Sequence, residues 1–570
     1  MSTGTAVSTR TPLRVGNASG FYGDRVSAWQ EMLAGGDLDV LTGDYLAELT
    51  MLILGRDRMR DPDLGYARTF LRQLEGTLGT ARERGVRIVT NAGGLNPAGL
   101  ATAVRSLAHR LGLDLRVGHV EGDSLSRPNA LTANAYLGAF GIAAALDAGA
   151  DVVITGRVTD ASLVVGPAIA RFGWDHDDLD ALAGATVAGH LLECGAQVTG
   201  GNFSFFTELP DGGHRPGFPL AELHADGSAV LTKHPGTGGA VTIETVTAQL
   251  LYEVGAPAYL GPDVVTHLDS VRLTKDGPDR VRVSGVRGTP PPETLKVGVN
   301  NLGGFRNSMT FVLCGLDIPA KAALVRGQLE ETVGKEGLEF VLARTDHPDT
   351  ADTEAASALL HVHLRDGDKA RAGRAFSSAA VELALASYPG CTLTTLPGDA
   401  TPYGVFTADT VAQDDVEHVA VLPDGTRVPI PPPPRTQPTP PSPRTPVPSE
   451  GPAAYPTRRR PLGELVGARS GDKGGDANLG VWARTDASWE WLRGWLTVER
   501  LAELLPETAP LTVERYELPN LRAVNFMIRG LLGSGVAATT RFDPQAKALG
   551  ELLRSRMVQV PAELIPEEAP

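Results

Sequence analysis

The segment Arg469–Asp476 concentrates charged residues and glycines in a short stretch, reading Arg-Ser-Gly-Asp-Lys-Gly-Gly-Asp. Arg469 and Lys473 could grip an anion, while Asp472 could orient them or act as an acid or base. We therefore predict Asp472 and Lys473 as catalytic and Arg469 and Ser470 as substrate-binding residues in a Gly-rich loop. The spacing of a phosphate-binding P-loop is absent. A solvated hairpin turn is the alternative interpretation.

A second charged pair lies in the segment Thr155–Ser162, directly after a very apolar run. Arg157 and Asp160 are three residues apart, so they can form an ion pair or divide anion binding and proton transfer between them. We predict both as catalytic residues. The alternative is that the polar residues of this segment cap the helix that follows.

Asparagines and an aspartate follow two other predicted strands. Asn91 and Asn96 belong to the motif NAGGLNP, whose glycines permit a strained loop in front of a helix N-terminus. Asp44 follows a predicted strand in the motif TGD. We predict all three as substrate-binding residues. Loop geometry and helix capping are the alternatives.

The first predicted strand leads into the turn Gly16–Gly20, which can present backbone N–H groups to an anion. It lacks the GxGxxG pattern of a dinucleotide site. Asn17 and Ser19 in this turn are predicted to bind substrate, and a tight structural turn is the alternative. Asn202, which follows two glycines that let a ligand approach the backbone, is predicted to bind substrate as well.

His190 and Cys194 lie four residues apart, on one face of a predicted helix. A histidine can activate a cysteine thiolate, so we predict Cys194 as a nucleophile. Two ligands do not make a metal site, and no metal site is predicted. A helix end capped by Gly195 is the alternative interpretation.

The elements that must position these residues alternate between short apolar strands and helices from residue 13 to about 200. This alternation predicts a mostly parallel sheet covered on both faces, whose ligands bind beyond the carboxyl ends of the strands. Further along, Asn202–Glu208 and Ala240–Thr245 are among the predicted strands of a β-rich or α+β second lobe, with a sub-boundary near 200–305. The first domain is predicted to cover residues 13–425.

Proline is dense from Pro429 to Pro461, which favours an extended segment over helices or sheet ladders. We predict a linker over 426–461, with a ligand for a proline-binding module as the alternative. Residues 462–560 then form a predicted α+β domain, an antiparallel sheet with helices on one face.

Composition excludes several classes of function. The net charge of −15 disfavours nucleic-acid binding, which needs a basic surface. No apolar run is long enough to cross a bilayer, and Met1–Leu13 lacks the apolar core of a signal peptide. The three cysteines are far apart, so neither a disulfide framework nor a zinc ribbon is predicted. We expect a cytoplasmic protein with a small-molecule substrate.

Several long motifs resemble the acyclic terpene utilisation AtuA family. They are LTGDYLAELTM (41–51), TNAGGLNP (90–97), ITGRVTDASLVVGP (154–167), GHLLECGAQVTGGNF (189–203) and GARSGDKGGDANLGVWAR (467–484). The resemblance covers nearly the whole chain. It implies a main AtuA domain followed by a small AtuA-like domain with a ferredoxin fold.

The resemblance implies catabolism of acyclic terpenes or branched chains through acyl-CoA thioesters, but it transfers no catalytic residue. We therefore expect acid/base chemistry on an acyl-CoA or related carboxylic acid, by a lyase, hydratase or hydrolase in a homo-oligomer. Acyl-CoA is the expected ligand, and no other cofactor is predicted. The alternatives are a non-catalytic subunit of a catabolic complex and a metal-dependent hydrolase.

Overall fold

The structure is a computed structural model that describes residues 11–395, 397–439 and 456–565. Most of Met1–Leu13 and, within the predicted linker, residues 440–455 lie outside the described residues. The described residues form two compact units. The first comprises those within Met1–Asn300, Phe406–Val536 and Asp543–Pro570, and the second those within Asn301–Val405 and Ala537–Phe542.

The α-helices, in chain order, are α1 Ala28–Gly35, α2 Glu48–Arg60, α3 Arg68–Glu75, α4 Leu78–Glu83, α5 Pro97–Arg110, α6 Phe140–Asp147, α7 Ser162–Phe172, α8 Leu179–Glu193, α9 Ile243–Leu250, α10 Ile318–Val333, α11 Phe376–Glu382, α12 Asp486–Trp495, α13 Val498–Leu504 and α14 Leu549–Arg554.

The strands are β1 Leu13–Asn17, β2 Val40–Gly43, β3 Arg87–Thr90, β4 Val117–Glu121, β5 Ala130–Ala135, β6 Val152–Thr155, β7 Pro219–Leu223, β8 Ala229–Lys233, β9 Ala258–Leu260, β10 Val265–His267, β11 Arg272–Gly277, β12 Arg280–Ser284, β13 Arg287–Thr289, β14 Thr294–Cys314, β15 Leu338–Ala343, β16 Ser357–Asp366, β17 Thr392–Leu393, β18 Thr401–Ala412, β19 Val419–Val421, β20 Arg427–Pro429, β21 Thr457–Pro461, β22 Val466–Lys473, β23 Asp476–Ala483, β24 Val513–Leu518, β25 Ala523–Ile528 and β26 Met557–Pro561.

The largest sheet belongs to the first unit and has the order β11-β12-β8-β7-β1-β2-β3-β6-β4-β19-β20. Its centre, β1-β2-β3-β6-β4, is parallel, and the flanking strands pair antiparallel. Successive central residues enter different core clusters: Val89 packs in one and Ile88 in the other. Apolar cores on both faces explain why these strands are almost continuously apolar. The predicted fold class is confirmed.

A second sheet of the first unit, β22-β23-β25-β24, is antiparallel throughout. One face carries Leu479, Val481 and Phe526, which pack in a separate core with residues of α12, α13 and α14. On the other face, Trp482 joins the core of the large sheet and stacks on Phe203, with 6.3 Å between ring centroids. Both faces of this small sheet are therefore buried.

The second unit has its own core. Its sheet runs β15-β16-β14-β17, and apolar residues of β14 and β16 pack against residues of α10 and α11. Along β16, buried residues such as Val362 alternate with the less buried His361 and His363, as expected of a sheet with one covered face.

Four local expectations differ from the structure. Arg469–Asp476 is a pair of strands joined by Gly474 and Gly475, because the Gly-Gly pair makes the turn and leaves the flanking residues free to pair. Asn202–Glu208 contains a 3₁₀ turn in place of a strand. Ala240–Thr245 leads into α9, because Thr242 forms a capping box that starts this helix. Sheet pairing also reaches into the predicted linker, at β20 and at β21, because the arginines there, unlike proline, have backbone N–H groups that can donate to a partner strand.

Candidate functional site

Asp44 and Asn91 follow β2 and β3 at the carboxyl edge of the parallel strands. The Asn91 Nδ2 donates to Asp44 Oδ1 over 2.6 Å, and its Oδ1 accepts from the Tyr45 N–H over 2.8 Å. Burial, with the nearby charge of Asp160, raises the pKa of the Asp44 carboxyl well above its usual value. Asn91 is thus engaged in holding Asp44, a carboxyl that favours its protonated form.

Arg157 and Asp160 follow β6 at the same edge. Arg157 Nη2 donates to Asp160 Oδ1 over 2.9 Å, and Nη1 donates to the Leu46 carbonyl over 2.9 Å. The Nε of Arg157 is buried and has no hydrogen-bond partner among the described residues. The guanidinium lies 4.1 Å from the ring centroid of Tyr136. Arg157 therefore has one buried hydrogen-bond donor without a partner among the described residues, which is unusual for a native protein.

Glu48 and Lys296 form a further ion pair beside this one. Lys296 Nζ lies 3.5 Å from Glu48 Oε1 and 4.6 Å from the ring centroid of Tyr136. Burial disfavours the ionised form of Glu48, but Lys296 and Arg157 outweigh it and hold the pKa of Glu48 below its usual value. Glu48 is thus the ionised carboxylate of this group.

These side chains are partly open to water at the carboxyl edge of the parallel strands, and we call this region the crevice. The exposed fraction is 31% for Asp160, 24% for Glu48 and 39% for Lys296. Desolvation nevertheless raises the pKa of Asp160, against the opposing charge of Arg157.

The strand geometry of β22 separates the residues of the C-terminal motif. Successive side chains of a strand point to opposite faces, so Arg469 and Lys473 share one face and Ser470 and Asp472 the other. Arg469 packs 4.2 Å from the ring centroid of Tyr252, while Ser470 Oγ accepts from the Gly550 N–H over 2.9 Å. The predicted loop would have placed all four together.

Lys473 reaches the crevice from the small sheet. Its Nζ donates to the Glu253 carbonyl over 2.8 Å and lies 5.6 Å from the ring centroid of Tyr259. Burial and the neighbouring charge of Lys296 lower the pKa of Lys473. Its charge also acts on Asp160. Strands far apart in sequence thus bring Lys473 and Asp160 into one electrostatic cluster.

His190 and Glu193 lie at the end of α8, next to Cys194. The His190 Nε2 is 3.1 Å from the Gln249 carbonyl, and Nδ1 is 2.9 Å from Glu193 Oε1. Burial lowers the pKa of His190 to about 4, so the imidazole is neutral and its one N–H donates to the Gln249 carbonyl. Nδ1 must then accept a hydrogen bond from the protonated carboxyl of Glu193, whose pKa burial raises well above its usual value.

The Cys194 thiol is held in its protonated form. Burial is the largest cause, and it raises the pKa of the thiol well above the ordinary value. A nucleophilic cysteine needs the opposite environment, one that favours the thiolate.

Other predicted site residues have structural partners. Asn17 Nδ2 donates to the Leu192 carbonyl over 2.6 Å, at the end of α8, and Ser19 Oγ donates to the Phe21 carbonyl over 3.0 Å. Asn96 caps α5 by accepting from the Gly99 N–H over 2.9 Å. The Asn202 carbonyl accepts from Arg469. Asn96 and Ser470 lie apart from the charged cluster.

Four residues of the cluster were missed by sequence reasoning: Glu48, Glu193, Lys296 and Glu253. Glu48 follows Asp44 by four residues in the motif TGDYLAEL, and this closeness along the chain is the signal that the sequence offers. Lys296 and Glu253 lie in stretches without any chemical pattern. Glu253 adopts a positive φ of 55°, an uncommon conformation for a residue other than glycine.

A small cleft adjoins the cluster and shares Tyr259 with it. Its other lining residues include Thr159, Val165, Pro262 and Val264. In the described part of the chain, no three His, Cys, Asp or Glu side chains are arranged to hold a metal ion. No helix there is long and apolar enough to cross a membrane.

Comparison with protein families shows which family the chain belongs to. Residues 13–130 and 125–422 match the family described as acyclic terpene utilisation family protein AtuA. The chain belongs to the AtuA family. Residues 460–559 match the AtuA ferredoxin-like domain, so the small sheet and its helices are that domain and Lys473 is its contribution to the cluster. Curated proteins yielded no match to the chain.

Asp472, on the other face of β22, provides a prediction about stability. Burial, together with Glu253 and Glu48, raises the pKa of Asp472 to about 8, far above its value of about 3.9 in an unfolded chain. The native state then binds the extra proton, so stability falls as pH rises from about 4 to about 8. We expect Asp472→Asn to be more stable than wild type by at least about 1 kcal/mol near pH 8 and equal to it below pH 4.

Urea denaturation of both proteins between pH 4 and pH 8.5 measures this difference. Asp114→Asn, at an exposed carboxylate, is the matched control and should follow wild type at every pH. A stability difference for Asp472→Asn that does not change with pH would contradict the prediction.

Proposed function

We propose that this AtuA family protein is an enzyme that transfers protons on an acyl-CoA or a related carboxylic acid of acyclic terpene or branched-chain catabolism. The observation that carries the proposal is the electrostatic interaction between Lys473, whose pKa is lowered and whose Nζ donates to the Glu253 carbonyl, and Asp160, whose pKa is raised and which accepts from Arg157. Environments that push the pKa values of neighbouring groups toward each other make one group a better base and the other a better acid near neutral pH.

Addition of water to an enoyl thioester illustrates the chemistry, and its reverse is dehydration. Lys473 in its amine form accepts a proton from water while the water oxygen bonds to the carbon β to the carbonyl. Protonated Asp160 donates its proton to the α carbon. The sum is the addition of one water, and the ammonium and carboxylate exchange a proton to restore the starting state. A carbon–carbon lyase needs the same two roles.

Arg157 is suited to binding the substrate carbonyl or carboxylate, because its Nε has no hydrogen-bond partner among the described residues. Thioester hydrolysis through a Cys194 nucleophile is less well supported, because burial favours the thiol over the thiolate.

Replacing Asp160 by Asn tests the proposal. The amide keeps a hydrogen bond to Arg157 but cannot donate a proton to carbon, so we expect kcat to fall by about 10²- to 10⁴-fold with thermal stability close to that of wild type. Branched enoyl-CoA, 3-hydroxyacyl-CoA and terpenoid acids would first be screened by thermal shift, since a bound ligand stabilises the native state. Turnover of the stabilising compounds is then measured.

Asp114→Asn serves as the control, since this exposed carboxylate lies outside the cluster. Wild-type turnover by Asp160→Asn, or the absence of any compound in the panel that wild type converts, would overturn the proposal.

A further inference from the structure

Lys473 donates a hydrogen bond to the Glu253 backbone carbonyl. Two buried asparagines of the small sheet bind the backbone around Glu253. Asn478 lies on β23 and Asn525 on β25, and both side chains are fully buried. Asn478 Nδ2 lies 3.1 Å from Asn525 Oδ1, so each amide orients the other. Among the described residues, neither asparagine forms a hydrogen bond to a carboxylate of the crevice.

The asparagines bind the segment 251–255 through its backbone alone. Asn478 accepts from the Glu253 N–H over 2.9 Å and donates to the Leu251 carbonyl over 2.7 Å. Asn525 donates to the carbonyls of Val254 over 2.8 Å and Gly255 over 2.7 Å. Glu253, at the centre, has a positive φ of 55°. Such a conformation is uncommon for a residue other than glycine and persists only where surrounding contacts impose it.

Lys473 completes the arrangement by donating to the Glu253 carbonyl. Gly471 and Gly480 permit the close approach, because a Cβ at these positions would lie 2.5 Å from the Tyr252 ring and 2.6 Å from Leu251 Cβ. We propose that Asn478 and Asn525 are positioning residues that hold Glu253 in its left-handed conformation and thereby fix Lys473 Nζ over the crevice. This inference rests on the proposed function of Lys473.

The titration of Lys473 reports its position independently of turnover. The groups that interact electrostatically with it include Lys296, Glu253, Glu48 and Glu193, together with Asp160 and His190. Releasing the segment lets Lys473 move toward water, so its pKa should rise toward the ordinary value of a lysine, about 10.4. Reductive ¹³C-methylation of the full chain, followed by NMR titration, measures this pKa, with the Lys473 signal assigned by its loss in Lys473→Arg.

Asn525→Leu removes both donors to Val254 and Gly255. We expect a higher pKa for Lys473 and, with a substrate, a loss in kcat of up to about 100-fold with a displaced pH profile. Asn525→Ser, which keeps one donor, should show a smaller shift and serves if the leucine variant does not fold. Asn520→Leu is the matched control, because Asn520 also donates to two carbonyls, those of Leu268 and Val271, away from the cluster.

An unchanged Lys473 titration in both Asn525 variants would overturn the inference, as would an equal shift in Asn520→Leu. The two proposals fail separately. A shifted Lys473 pKa together with turnover that survives replacement of Lys473 would support the positioning role and contradict the proposed function.

Discussion

Lys473→Met is expected to lower turnover by at least about 100-fold, because methionine keeps the length and apolar stem of lysine but cannot exchange a proton. Lys473 belongs to the ferredoxin-like domain, and its Nζ donates to the Glu253 carbonyl over 2.8 Å at the crevice. The pH profile of kcat should also lose the limb that reports ionisation of the lysine. Steady-state kinetics on a compound that wild type converts measures both effects.

Lys275→Met is the matched control, because Lys275 is exposed on β11. It should retain wild-type turnover and the wild-type pH profile. If Lys473→Met kept both limbs of the profile at an unchanged rate, the acid/base role of Lys473 would be refuted.

The second large effect concerns the joint between the two sheets of the first unit. Trp482 lies in the core of the large sheet although β23 belongs to the small one, and its ring packs with Phe203 and Phe205. Trp482→Ala should cost about 3–5 kcal/mol, the usual range for deleting a buried aromatic side chain. The same packing of the small sheet on the large one places Lys473 beside Glu253, so turnover should fall together with stability. Urea denaturation, read by circular dichroism, measures the loss.

Trp491→Ala provides the comparison. Trp491 is only partly buried and stacks on Trp495 within the ferredoxin-like domain. Its loss should cost less than that of Trp482 and should leave the titration of Lys473 unchanged. Equal destabilisation by the two substitutions would show that the Trp482 contacts have no special role in the joint.

The sequence could predict which polar side chains lie at the carboxyl edge of the parallel strands. Asp44, Asn91, Arg157 and Asp160 each follow an apolar run, and parallel strands bring such positions to one edge. Their partners could not be predicted, because hydrogen-bond geometry depends on neighbours distant in sequence. Asn91 illustrates this: its amide is engaged by Asp44 and Tyr45, so it supports a carboxyl of the crevice.

The C-terminal motif shows the limit of pattern reasoning most clearly. Its glycines and charges were interpreted as one loop, yet six of its eight residues lie in β22 and β23, and only Gly474 and Gly475 form the turn. The two-residue period of a strand then separates Lys473 from Asp472. Composition alone could not predict this, because the same residues suit a loop and a hairpin.

The sequence by itself determined the family, the α/β class and the residue types gathered at the carboxyl edge, because these depend on local patterns of apolar and polar residues. Only the tertiary structure decided that Lys473 joins Asp160, Glu253 and Lys296, since that meeting depends on the packing of one sheet against another. The tertiary structure also decided the direction in which the pKa of each of these four groups is shifted. Desolvation and neighbouring charges set these pKa values, and both are properties of the folded chain.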